Sequence, residues 1–256
     1  MIIKPPIPKE HGMWVIFLFP VIIASIATLQ LNFPMLLLLI SAIFFFLWRY
    51  TVVQLLKNWV KHEKLSSEQI KWNIIYLIFC VAFFLPLVIV YKYYKLYYFI
   101  GLSMFFLFVN IFLEWQNRQR EILNQILGII ALTLIGPGVY YVLVNTMNLF
   151  IGYALWIGSC LYFIGTIFSV RSRTIGKPYR LISLVYYICI TILIFILSQI
   201  FNFSWITVLA LIPVCIKSLY FYMIKFEKEN IRTIGLIEGI FSGLFSIAFG
   251  ILLMYS

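Results

Sequence analysis

Residues 34–57 read PMLLLLISAIFFFLWRYTVVQLLK, with no charge from Pro34 to Trp48 and then Arg49. A helix needs roughly 20 apolar residues to cross a hydrocarbon core of about 30 Å, so this run is a transmembrane helix. At about 1.5 Å per residue Arg49 lies about 22 Å below Pro34, still inside the apolar zone. An arginine there costs about 2.5–3.5 kcal/mol on insertion scales unless it snorkels, pairs with an acid or lines a wet cavity. Snorkelling over about 8 Å is the plain alternative. Trp48, Tyr50, Thr51 and Gln54 make the stretch polar enough to favour a site.

Working outward, the same length test gives nine spans: 12–30, 34–57, 70–91, 96–114, 122–144, 149–170, 180–200, 204–224 and 235–254. The breaks are short, so residues 1–256 form one all-α polytopic membrane bundle and leave no soluble domain for independent chemistry. Of 256 residues, 64% are hydrophobic and 11% charged, with a mean hydropathy of +1.06. That composition excludes an ordinary soluble enzyme. All eight acids are glutamate. Without aspartate, Asp-rich Mg²⁺–diphosphate motifs, aspartyl phosphates and Ser-His-Asp triads are excluded. Cys80, Cys160, Cys189 and Cys215 are scattered singly through apolar runs and read as core residues, with no metal site.

Seventeen of the nineteen lysines and arginines fall at one side of the nine-span layout, and only Lys92 and Lys95 at the other. The positive-inside rule then places the N-terminus in the cytoplasm and the C-terminus outside. The first run lacks a small-residue cleavage site and reads as a retained helix. A net charge of +11 follows from the same bias and from attraction to anionic lipid, so it does not argue for nucleic acid. Richness in Lys, Phe, Tyr, Ile and Asn hints at an AT-rich genome, and the expected location is a bacterial cell membrane.

Polar residues concentrate at the cation-rich side. At the start of the first span stand Lys9, Glu10 and His11, followed by Gly12 and Trp14. They read either as a polar cap on the helix or as a head-group ligand with His11 as proton donor. From Glu114, spacings of 3, 4, 7 and 10 put Asn117, Arg118, Glu121 and Asn124 on one face if the stretch stays helical, with Asn110 one turn deeper. That stripe is one wall of a polar cavity, or a Glu114–Arg118 pair on a hairpin. Arg171, Arg173, Lys177 and Arg180, with Ser172, Thr174, Gly176 and Pro178, form a candidate anion-binding loop, since guanidinium forks match phosphate oxygens. A plain cytoplasmic loop would look the same. Glu238 lies about one turn inside the last span, with Arg49, Arg118 or Arg232 as expected partner. Gly235, Gly239 and Gly243, four residues apart, are expected to permit close helix packing.

The segment Pro8-Lys9-Glu10-His11-Gly12-Met13-Trp14 resembles the N-terminal signature of the YwiC-like family of bacterial membrane proteins. Arg120-Glu121-Ile122-Leu123-Asn124, Phe168 to Arg173, and Gly235 with Glu238 extend the resemblance more loosely along the chain. The resemblance names a family without naming a reaction. The nine-span layout, with polar groups after spans two, four, six and eight, is more distantly similar to UbiA-type intramembrane prenyltransferases. Those enzymes hold a polyprenyl diphosphate through Mg²⁺ and Asp-rich motifs after helices two and six. Here the corresponding places carry Arg49 to Asn58 and Arg171 to Arg173, so Asp-held Mg²⁺ is disfavoured and no cofactor is expected.

The leading expectation is a cytoplasm-facing polar cavity that binds an anionic amphipathic small molecule such as an isoprenoid diphosphate, with membrane lipids as neighbours. Lys9, Arg49, Glu114, Asn117, Arg118, Asn124, Arg171 and Arg173 would bind it. As an enzyme, His11 with Glu10 or Glu238 would supply acid–base function. A transporter would place polar groups through the full membrane depth. A non-catalytic subunit or assembly factor would fill the cavity with side chains.

Overall fold

The computed structural model describes residues 5–8, 11–60, 67–116, 121–146, 149–200, 205–224 and 230–255. The helices are α1 (His11–Thr28), α2 (Phe33–Val60), α3 (Ser67–Ile89), α4 (Leu96–Trp115), α5 (Ile122–Thr133), α6 (Ile135–Val144), α7 (Leu149–Thr174), α8 (Lys177–Ile200), α9 (Ile212–Met223) and α10 (Ile231–Met254). A 3-10 segment, Trp205–Leu211, leads into α9. Seven stretches are long and apolar enough to cross a membrane; Gly12–Thr28 and Val208–Met223 are shorter apolar helices. Each of the nine expected spans therefore corresponds to helix.

Two of those spans are broken, and proline accounts for both. Pro137 has no N–H, and its ring clashes with the carbonyl four residues earlier. The fifth span accordingly divides at Leu134 into α5 and α6. Pro213 is tolerated in the first turn of a helix, where a free N–H would lack a partner anyway. The eighth span accordingly starts as a 3-10 segment and becomes α-helical at Ile212.

Residues 136–143 of α6 are all buried, which makes this short helix the centre of the bundle. It packs on α1, α2, α4 and α7, while α1 also lies along α10. Around that centre, α3 leans on α2, α4 on α5, and α8 on α7 and α9. Long apolar side chains on α3, α4 and α8 face outward, as expected for helices in contact with lipid tails. Cys189 lies on that outer surface of α8, so it is not the core residue expected from sequence.

The close approach of α1 and α10 is made at Gly250, not at the glycines singled out by spacing. A Cβ on Gly250 would sit 2.8 Å from Ile26 Cβ and 3.2 Å from the Ile23 carbonyl oxygen. One on Gly235 or Gly239 would meet nothing within 4 Å, and one on Gly243 only the edge of Phe19 at 3.8 Å. Four-residue spacing marks a helix face but not which neighbour covers it. Gly250→Ala is expected to cost about 1–3 kcal/mol through overpacking. Gly239→Ala should be stabilising by up to about 1 kcal/mol, the helix-propensity difference. Thermal unfolding in detergent would compare the two, and equal midpoints would refute the α1–α10 contact.

Candidate functional site

Arg49 projects from α2 into the bundle and is buried, donating from Nη2 to Asn110 Oδ1 on α4. Asn110 Nδ2 in turn donates to both the carbonyl oxygen (2.8 Å) and the Oδ1 (2.7 Å) of Asn124 on α5. The expected stripe along one continuous helix is thus not formed. α4 ends at Trp115 and α5 starts at Ile122, so Asn110 meets Asn124 across a hairpin. Lys9, Glu10, Asn117 and Arg118 lie outside the described residues. So do the side chains of His11 and Glu114, whose backbones belong to α1 and α4.

The backbone nevertheless places the start of α1 beside Arg49. Trp14 packs edge-on against Phe46 with centroids 5.2 Å apart, and Phe17 stacks on the same ring at 6.0 Å. Position 11 is one turn before Trp14 and Arg49 one turn after Phe46, so both lie at the cation-rich end. Residues 5–8 also pack on the bundle: Pro8 is buried, and Tyr76 of α3 donates to the Pro6 carbonyl at 3.3 Å.

From Arg49 a groove of about 320 Å³ runs between α3 and α4. Its floor is α2 from Leu38 to Arg49, with the Ala131 to Gly138 stretch of α5 and α6 behind. The rim residues Leu77, Val81 and Tyr97 are exposed, so the groove opens sideways toward the membrane. Its two serines are turned to main chain: Ser41 Oγ donates to the Cys80 carbonyl at 2.9 Å and Ser103 Oγ to the Ala131 carbonyl at 3.2 Å. The cavity beyond Arg49 is therefore a hydrocarbon-like slot rather than a polar chamber. Apolar walls of this kind favour apolar occupants.

A second polar cluster surrounds Glu238 on α10. Its Oε1 accepts from Ser169 Oγ at 2.7 Å and from Arg173 Nη2, both on α7. Lys217 Nζ of α9 donates to Oε1 at 3.0 Å and Oε2 at 2.8 Å. The Lys217 ammonium also lies 5.2 Å from the Phe241 ring centroid, and the Arg173 guanidinium 4.7 Å from that of Phe221. Two cations on one buried carboxylate tie α7, α9 and α10 together. The partners expected for Glu238 were Arg49, Arg118 and Arg232; Arg173 and Lys217 take that place. Lys217 stands alone in an apolar run four residues after Pro213, a signal in the sequence for an intramembrane cation that the positive-inside count of flanking lysines conceals.

The expected anion loop is also different in form. α7 continues to Thr174, Gly176 makes the turn at φ 106°, and α8 begins at Lys177. Held on a helix, Arg171 and Arg173 diverge. Arg173 enters the Glu238 cluster, whereas Arg171 donates to Tyr179 Oη at 3.3 Å and to Gln125 Oε1 at 3.4 Å. The second contact reaches α5 at the residue next to Asn124.

A family model described as YwiC-like protein matches residues 7–141. Among curated proteins, an uncharacterized protein of Haemophilus influenzae is 30% identical over 181 residues, covering 69% of this chain and 71% of that protein. Uncharacterized protein YwiC of Bacillus subtilis is 25% identical over 243 residues, 92% of each chain. No solved structure matches significantly; the likeness to the UbiA-type layout rests on the arrangement of spans in the sequence. The span matched by the family model contains Arg49, Asn110, Asn124 and every wall of the groove, whereas Glu238 and its partners lie beyond it.

Proposed function

The chain belongs to the YwiC-like family, and on that premise we propose that it is a multi-pass protein of the bacterial cell membrane that binds an anionic amphipathic lipid. The tail lies in the α3–α4 groove and the anionic head meets Arg49. The observation that carries this reading is an apolar groove, open at its side, that ends on a buried guanidinium. Hydrocarbon is the natural filling for such a slot, because the surrounding solvent is lipid. A guanidinium at its end selects tails that carry phosphate or carboxylate, through paired hydrogen bonds. Asn110 accepts from the guanidinium and helps to hold it at the end of the groove. Position 11, which opens α1 at the same level as Arg49, is where a group acting on the head would stand, and Lys9 and Glu10 precede it in the sequence.

Native mass spectrometry of protein purified in mild detergent tests the proposal. The wild type is expected to retain an anionic lipid. Arg49→Gln, which keeps an amide able to bond Asn110, should retain at least about tenfold less, since hydrogen bonds to charged groups are worth about 1.5–3 kcal/mol. A wild type free of anionic lipid, or a variant with an unchanged adduct, would overturn it.

A further inference from the structure

We infer that Gly138 sets the length of hydrocarbon chain that the groove accepts. This rests on the groove being a lipid site and adds which tails it selects. Leu38, Leu96 and Gly138 close the end opposite Arg49. From Leu38 to Arg49 on α2, and from Leu96 to Leu107 on α4, the end residues of the wall are eleven steps apart on both helices. At about 1.5 Å per residue each gives a slot about 16 Å long. A volume of about 320 Å³ is at the lower end of the range of about 300–1,000 Å³ for ligand sites. The slot is narrow for its length, which fits one chain lying along it rather than a bundle of tails.

At the closed end Gly138 is the one position where the wall has no side chain. A Cβ built there would be 3.8 Å from Leu96 Cδ2 and 3.9 Å from Leu38 Cδ2, which is ordinary van der Waals contact. Space for a methyl group therefore exists without displacing either leucine, and in the native protein that space belongs to the slot. The neighbouring Gly136 is unlike this: a Cβ there would lie 2.3 Å from Leu155 Cδ2 and 3.0 Å from Pro20 Cβ. Gly136 serves helix packing, whereas Gly138 leaves room for the end of a ligand. Its backbone is fixed by the proline break, because α6 starts at Ile135 and is buried on every side.

The test is the chain-length distribution of anionic lipid that co-purifies with wild type, Gly138→Ala and Gly138→Leu from the same cells, read by mass spectrometry of the extracted lipid. Each methylene excluded from an apolar site costs about fourfold in affinity. Gly138→Leu is therefore expected to shift the bound population to shorter chains, by about fourfold in the long-to-short ratio per methylene displaced. Gly138→Ala should shift it the same way by less, and the head-group class should be unchanged. Should the leucine variant fail to fold, the alanine variant decides, because its Cβ fits. Bound lipid with the same chain lengths in every folded variant would overturn the ruler while leaving the lipid site standing. Wild type without anionic lipid would overturn both.

Discussion

Replacement of Glu238 by alanine is expected to lower the unfolding free energy in detergent by about 3–5 kcal/mol, the cost of breaking a buried ion pair by removing one partner. Glu238 is 8% exposed, and Arg173 and Lys217 are 3% exposed each. Both cations donate to the same oxygen, Oε1, so without the carboxylate they remain close together in a region of low dielectric. Lipid cannot solvate them as water would. Glu238→Gln should be milder, because its carbonyl still accepts from Ser169 although the charge is gone. A second substitution separates charge from packing. In the Glu238→Ala background, Lys217→Met should recover part of the loss, because it removes a buried cation and keeps the apolar stem. Denaturation of the four proteins in one detergent closes a double-mutant cycle. A wild-type midpoint for Glu238→Ala, or additive effects of the two changes, would sink the clamp.

That cluster also shows where the sequence was legible and where it stopped being so. The spans were readable because crossing a membrane is a property of local composition: 96–114 was expected and α4 is Leu96–Trp115. The breaks were legible only in part: Pro137 and Pro213 stand at broken spans, whereas Pro20 and Pro86 lie inside continuous α1 and α3. Arg49 was legible as the spans were, because its depth is set by the run around it. Partners were not. Ser169, Arg173 and Lys217 reach Glu238 from 69, 65 and 21 residues away in the chain, and nothing local encodes which helix stands beside which. Counting lysines to orient the bundle treated Lys217 as a flank and hid an intramembrane ion pair. The stripe from Asn110 to Asn124 failed for a related reason: its spacing argument required one continuous helix. The expectation of a polar cavity had the charged end in view and not the apolar slot behind it, whose walls are ordinary lipid-like residues of α2 to α6.

Asn110 gives the second large effect, and it connects stability to binding. Asn110 is 2% exposed and uses both ends of its amide, accepting from Arg49 and donating to Asn124. Leucine has the same number and branching of side-chain heavy atoms but is bulkier, so Asn110→Leu removes the hydrogen bonds and adds some crowding. It removes an acceptor from a buried guanidinium, worth about 1.5–3 kcal/mol, and a donor from a buried carbonyl, worth about 1–3 kcal/mol. A loss of about 3–5 kcal/mol in unfolding free energy is expected, because each partner is left short of a bond in a site water does not reach. Asn124→Ala should cost less: the Asn124 carbonyl oxygen, which accepts from Asn110 at 2.8 Å, is main chain and stays. The two variants should also divide in binding. With its bond to Asn110 gone, Arg49 is aimed less firmly at the groove, so Asn110→Leu should retain clearly less anionic lipid than the wild type. Asn124→Ala leaves the Arg49–Asn110 bond in place and should retain most of it. If Asn110→Leu lost stability yet kept its lipid in full, Asn110 would be a structural bridge between α4 and α5 and not the residue that aims Arg49 at the groove.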